Sequence, residues 1–166
     1  IIPFGNLTDN LFLSTEPYVR GISGNAEGVS GLLKDAGISM EAKGQNLSET
    51  DRRKLSSLIV LNLIGQGVSA ETVEHVAEEK YSLRDWNMDS AGLASLLDGC
   101  GRNGLTALGV SVACGDGDSL AEAEEIRKEY RRDIVLGVKE LDGRGLTQES
   151  NIQWFDSSES GYTGVF

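Results

Sequence analysis

Leu93-Ala94-Ser95-Leu96-Leu97-Asp98-Gly99-Cys100-Gly101-Arg102 sets the helical character of this chain. Its apolar residues Leu93, Leu96, Leu97 and Cys100 fall at i, i+3, i+4 and i+7, the spacing of one helical face. Asp89 stands where an N-cap belongs, and Gly101 to Gly104 interrupts the run around an arginine.

The same period extends in both directions. Upstream, Val29, Leu32, Leu33 and Ala36 repeat it, with Gly37 placed as a C-terminal cap. Ser48-Glu49-Thr50-Asp51 resembles a capping box with Asp51 in the answering position. The helix it opens runs to about Ile64. Leu55, Leu58, Ile59, Leu61, Leu63 and Ile64 make that helix apolar on more than one face, so it is expected to be the most buried element. Gly65 and Gly67 end it, and Ser69 caps a helix that turns Val73, Val76 and Ala77 inward. Ser82 to Asn87 breaks the pattern. Downstream, Leu105 to Ala113 reads as a short apolar helix, followed by the turn Gly115-Asp116-Gly117-Asp118. From Ser119 to about Asp142, the residues Ile126, Tyr130, Ile134, Val138 and Leu141 form one stripe on a helix of about 35 Å, a length suited to a spacer between lobes. Ile1 to Gly24 reads as irregular or short-strand chain that packs on structure outside this segment. Ile152 to Phe155 and Tyr162 to Phe166 read as two short strands.

The chain has 166 residues, enough to bury one sizeable core or two small lobes. Acidic residues number 26 against 15 basic, a formal charge of −11. Such a surface repels phosphate backbones and makes the segment a poor stand-alone nucleic-acid binder. No window is apolar enough to span a bilayer and no secretory leader is evident, so a cytoplasmic protein with no membrane association is expected. Cys100 and Cys114 sit in helical patterns where a reduced, packed thiol is the common state.

Four motifs carry possible chemistry. His75 is the lone histidine, too few for a zinc site of converging ligands, and reads as structural. Gly115-Asp116-Gly117-Asp118 invites a calcium reading, but position 127 is arginine where an EF-hand loop requires glutamate, so helix capping explains the aspartates better. Gly21-Ile22-Ser23-Gly24 has the G-x-x-G spacing of some strand-clamping loops, with Arg20 beside it; a tight turn before a helix is the simpler account. In Gly99-Cys100-Gly101-Arg102 the glycines permit close backbone approach, and Arg102 presents a planar fork suited to phosphate. Helix termination, with a cation at the negative end of the dipole, is the structural alternative.

Pro17-Tyr18-Val19-Arg20-Gly21-Ile22-Ser23-Gly24, Leu96 to Arg102 and the helix over 119–142 together resemble archaeal RecJ-like proteins of the DHH phosphoesterase superfamily. The resemblance implies an internal piece of a single-strand-specific exonuclease or phosphoesterase. It implies a preceding DHH domain, an inserted helical region and the first strands of a DHH-associated domain. Gly101 and Arg102 would lie near the nucleic-acid path, although this chain has Asp98-Gly99 where the family more often has Asn-Ala. Two-metal hydrolysis needs several carboxylates and histidines around ions about 3.5–4 Å apart. The chain has no Asp-His-His and no Gly-Gly-His motif. Manganese or magnesium is therefore expected elsewhere in the intact protein, no cofactor in this segment, and no catalysis by the segment alone.

The expected fold is mainly α, about six helices with a small β element at the C-terminal end. Residues 1–24 would continue from a DHH domain, 25–115 would form the helical inserted region, and 116–166 the connecting helix and first strands. The intact protein would act on single-stranded nucleic acid, or less directly on small phosphoesters or cyclic dinucleotides. The resemblance also implies a second possibility, a docking module for replication-fork proteins of the GINS type carried by residues 25–81.

Overall fold

The computed structural model describes residues 5–77, 81–158 and 160–161, the side chains of His75 and Ala77 excepted. The first element, α1 (Leu7–Phe12), lies where irregular chain was expected. The Asn6 side chain accepts a hydrogen bond from the Asp9 amide at 3.1 Å, and Leu7 and Leu11, one turn apart, point into the core. The segment is also tied down by backbone: the Leu7 amide donates to the Ala42 carbonyl and the Gly44 amide to that of Gly5, both at 3.0 Å. These bonds tie the described part of the segment, from Gly5 on, to the loop over residues 42–44.

Helix α2 (Ala26–Ala36) follows as expected, capped by Asn25 and terminated by Gly37 in the left-handed conformation at φ 73°. Its residues Val29, Leu32, Leu33 and Ala36 are all buried. Helix α3 (Glu49–Gly65) starts at Ser48, whose hydroxyl oxygen accepts from the Asp51 amide at 3.1 Å. The Asp51 carboxylate accepts from that same hydroxyl at 2.7 Å instead of reaching the Ser48 amide. Only one face of α3 is covered. Leu55, Ile59 and Leu63 are buried, whereas Leu61 and Ile64 are 63% and 57% exposed, so α3 is not the most buried element. Helix α4 (Ala70–Ala77) places Val76 against the same core.

The strands β1 (Ser82–Leu83) and β2 (Met88–Asp89) then form a small antiparallel hairpin in which Leu83 faces Met88. The turn between them includes Asn87 at φ 49°. Helix α5 (Ser90–Arg102) begins at Asp89, and its glycines do not break it: the helix continues through Gly101 and turns only at Gly104, φ 71°. Helix α6 (Thr106–Ala113) crosses α5 closely enough that a β-carbon on Gly109 would lie 3.3 Å from that of Cys100. The Trp86 indole donates to the Val112 carbonyl at 3.1 Å and pins the hairpin to α6.

Two hydrophobic cores result. Leu7, Leu11, Val19, Ile22, Val29, Leu33, Leu55, Ile59, Leu63 and Val76 belong to the first. Met88, Leu96, Cys100, Val112 and Ala123 make the second. Each fully buried aliphatic side chain contributes about 1.5–3 kcal/mol relative to exposure.

Helix α7 (Gly117–Arg144) has 28 residues and serves both cores. Its first turns bury Leu120 and Ala123 against α5 and α6. Farther along, Val135 is fully buried and reaches Gly24, while Lys139 donates to the Gly24 carbonyl at 3.3 Å and Arg20 pairs with Asp142 at 2.8 Å. The residues fully withdrawn from solvent are Ala123, Val135 and Gly137. The expected stripe of Ile126, Tyr130, Ile134, Val138 and Leu141 is half-buried, because the helix meets different partners at its two ends. Finally β3 (Thr147–Gln148) pairs antiparallel with β4 (Gln153–Trp154). The strand expected over 152–155 is thus present in part, with 147–148 as its partner; the one expected over 162–166 lies outside the described residues.

Candidate functional site in the cleft between the two cores

A cleft of about 290 Å³ opens where the two cores face one another. Ser14, Thr15, Glu16 and Pro17 of the α1–α2 connection and Val76 of α4 form one wall. The β2–α5 junction, from Asn87 to Gly92, forms the second, and α7 closes the floor with Glu124, Arg127 and Arg131.

Arg127 and Arg131 stand four residues apart, on one face of α7. The Arg127 Nη1 donates to the Gly92 carbonyl at 3.3 Å, but its Nε is buried with no partner. Among the described residues Arg131 makes neither a hydrogen bond nor an ion pair. Burial pulls the Arg131 pKa down, the neighbouring Arg127 charge adds to the effect, and Glu16 and Asp89 oppose it. The group stays charged, since a guanidinium is not deprotonated in proteins. The Asp89 carboxylate, the nearest obvious counter-charge on the second wall, is committed to the α5 N-terminus, accepting from the Gly92 amide at 2.6 Å.

The residues singled out from sequence fall elsewhere. Arg102 ends α5, whereas the cleft takes the first turns of that helix, a separation of roughly 10–16 Å at 1.5 Å per residue. The Arg102 Nε donates to the Asp98 carboxylate at 2.7 Å, in an ion pair exposed on both sides, and that hydrogen bond raises the Arg102 pKa. Gly101 is exposed, and nothing lies within 4 Å of where its β-carbon would be. Both residues are open to a ligand from solvent, on a surface separate from the cleft.

The Gly21–Gly24 turn has a structural use. Gly21 and Gly24 take φ of 82° and 69°, and a β-carbon on Gly24 would sit 2.6 Å from the Val135 Cγ1. Arg20 is held by Asp142, and its backbone is held by Gln66, whose Nε2 donates to the Arg20 carbonyl at 2.8 Å. Asp116 caps α7 by accepting from the Ser119 amide at 2.9 Å, which is the capping role expected of the Gly-Asp-Gly-Asp turn. The His75 side chain lies outside the described residues. Among the described residues no three His, Cys, Asp or Glu side chains converge as metal ligands. Cys100 is buried, but Cys114, expected to be packed, follows the end of α6 and is exposed.

The sequence reading took the 119–142 helix as a spacer and did not single out Arg127 and Arg131. The available signal was an i, i+4 arginine pair on a strongly acidic chain. What the spacing did not contain was the second wall, brought up from residues far away in sequence.

Fold and site together define a helical protein with two cores bridged by one long helix and a basic pair in the cleft between them. Among known sequences, no protein-family model matches the chain. An uncharacterized protein of the archaeon Methanocaldococcus jannaschii is 26% identical over 151 residues, which is 91% of this chain and 32% of that protein. The chain therefore spans about a third of the length of the curated relative it matches.

Proposed function

We propose that this chain is the helical linking and positioning region of a RecJ-like, DHH-type single-strand-specific exonuclease or phosphoesterase, inactive in isolation. Manganese or magnesium would be held by residues elsewhere in the intact protein. The observation that carries the reading is α7: one continuous helix packs against both cores and runs on into a hairpin, as a strut between a catalytic and a substrate-gripping domain would. The similarity to a third of a longer protein supports a segment role. Gly101 and Arg102, exposed at the end of α5, would contact the nucleic-acid backbone, with the Arg102 fork exchanging Asp98 for phosphate.

The test is degradation of end-labelled single-stranded DNA with manganese. The intact protein is expected to degrade it and the 166-residue chain is not. Arg102→Ala in the intact protein should reduce turnover without lowering its melting temperature. Manganese-dependent DNA loss with the isolated chain, or an intact protein without phosphodiesterase activity, would sink the proposal.

A docking role for a replication-fork partner is the second reading, favoured by the exposure of Leu61 and Ile64 side by side on α3. Leu61→Glu with Ile64→Glu should abolish complex formation and leave DNA turnover intact.

A further inference from the structure

Two guanidinium groups line the inter-core cleft. Arg127 and Arg131 lie one helical turn apart in a partly desolvated site, where like charges repel more strongly than in water. Neither has an ion-pair partner among the described residues, although Glu16, Asp89 and Glu124 share the lining. Asp89 is occupied by its capping bond. Burial and the Arg127 charge both act against the Arg131 cation.

The unpartnered atom is informative. Nε is one of the two parallel donors of an arginine fork, and bidentate recognition of an oxyanion uses such an edge. Arg127 spends Nη1 on the Gly92 carbonyl, which fixes its plane; its Nε has no partner and is closed off from solvent, so an oxyanion engages that edge only with a small turn of the guanidinium. Thr15 and Ser95 add hydroxyls to the lining. The volume of about 290 Å³ exceeds what one tetrahedral oxyanion fills and leaves room for a small ester group.

We propose that this cleft is a phosphate site in which Arg127 and Arg131 hold one oxyanion, supplied as inorganic phosphate or as a phosphoester. The proposal does not rest on the nuclease reading, since the cleft lies at the end of α5 opposite Arg102. Because one wall belongs to the first core and the other to the second, an occupied site braces the two together. Ligand binding then raises the melting temperature in proportion to occupancy.

The experiment is calorimetric titration of the intact protein with inorganic phosphate, paired with thermal melts, on wild type, Arg127→Gln/Arg131→Gln, Arg131→Lys, and Arg52→Gln as an exposed-charge control. Wild type and the control are expected to bind saturably and to melt higher with phosphate. The double variant should bind at least tenfold more weakly, and phosphate should no longer raise its melting temperature. Arg131→Lys keeps the charge and loses the fork, and should weaken binding several-fold. Titration with a nucleoside monophosphate separates the sources: tighter binding than phosphate supports an ester ligand, equal binding supports the free anion. No saturable binding in wild type, or unchanged affinity in the double variant or in Arg131→Lys, overturns the proposal.

Discussion

Gly28, in the first turn of α2, has its α-carbon against the backbone of the preceding turn. A β-carbon there would lie 1.7 Å from the Gly21 carbonyl oxygen and 2.9 Å from its carbon, and backbone cannot swing aside as a side chain can. Gly28→Ala should therefore destabilise the protein by about 3 kcal/mol or more, at the upper end of overpacking costs. Gly101→Ala should do the reverse, because the site is helical and open: about 0.5 kcal/mol of stabilisation is expected from helix propensity. Urea midpoints of the two variants check both signs. If Gly101→Ala also lost DNA turnover while gaining stability, close approach of a ligand would be the cause. The two thiols differ in the same local way. Cys100 is 1% exposed and burial pushes its pKa up, whereas Cys114 is open to solvent. A disulfide exchange reagent should titrate one thiol rapidly in the native protein and the second only after denaturant is added; two fast thiols would mean that the α5–α6 packing opens readily.

Helix ends were the most legible elements, because an N-cap is chemistry within three or four residues. Ser48, Ser69, Asp89 and Asp116, read as caps, all accept from amides of the turns they open, and so does Asn25, which was not read as one. Asn25→Ala removes acceptors for the Glu27 and Gly28 amides and should cost about 1 kcal/mol, measured by thermal unfolding. Asp116 gives a pH dependence. Hydrogen bonding with Ser119, through its side chain first and its amide second, holds the Asp116 carboxyl below the usual range. The unfolded chain then binds that proton more readily than the folded one. Its contribution is full above the unfolded value, near about 4, and is lost as pH falls through the depressed folded value. Asp116→Asn keeps a capping side chain without the titration, so urea midpoints measured from neutral to acidic pH should fall less steeply below about pH 4 than in wild type. Helix α1 was not legible: six residues among prolines and glycines carry too little periodicity, and its stability comes from burial of Leu7 and Leu11 with the Asn6 cap and the tie to Ala42. The exposure of Leu61 and Ile64 was equally hidden, since spacing shows that α3 has two apolar faces and not which one meets a partner.

At the scale of the whole molecule the decisive contact joins α7 to the turn at Gly24. The sequence shows a long amphipathic helix, but where it touches the first core depends on a close approach between residues more than a hundred positions apart, and the cleft with Arg127 and Arg131 depends on the same approach. The candidate site was for that reason the least legible part of the chain. Three interactions share the junction, and magnitudes rank them. The Arg20–Asp142 pair, with the arginine 73% exposed, is a surface ion pair worth at most about 1 kcal/mol. The Lys139 bond to the Gly24 carbonyl is long at 3.3 Å. Val135, with no exposed surface and its Cγ1 against Gly24, carries most of the contact. Val135→Ala should cost about 2 kcal/mol, from lost transfer free energy and the cavity left beside a glycine that cannot fill it. Its signature lies in cooperativity as well as in stability. Amides of Ile59 and Leu63 report the first core and those of Leu96 and Cys100 the second. In wild type, hydrogen exchange at both sets should report one shared opening free energy, because α7 couples the cores. In Val135→Ala the two sets should separate, with the second core keeping its own packing against the first turns of α7, while Arg20→Ala should leave them together. Exchange that stays uniform in Val135→Ala would place the coupling between the cores outside the α7–Gly24 junction.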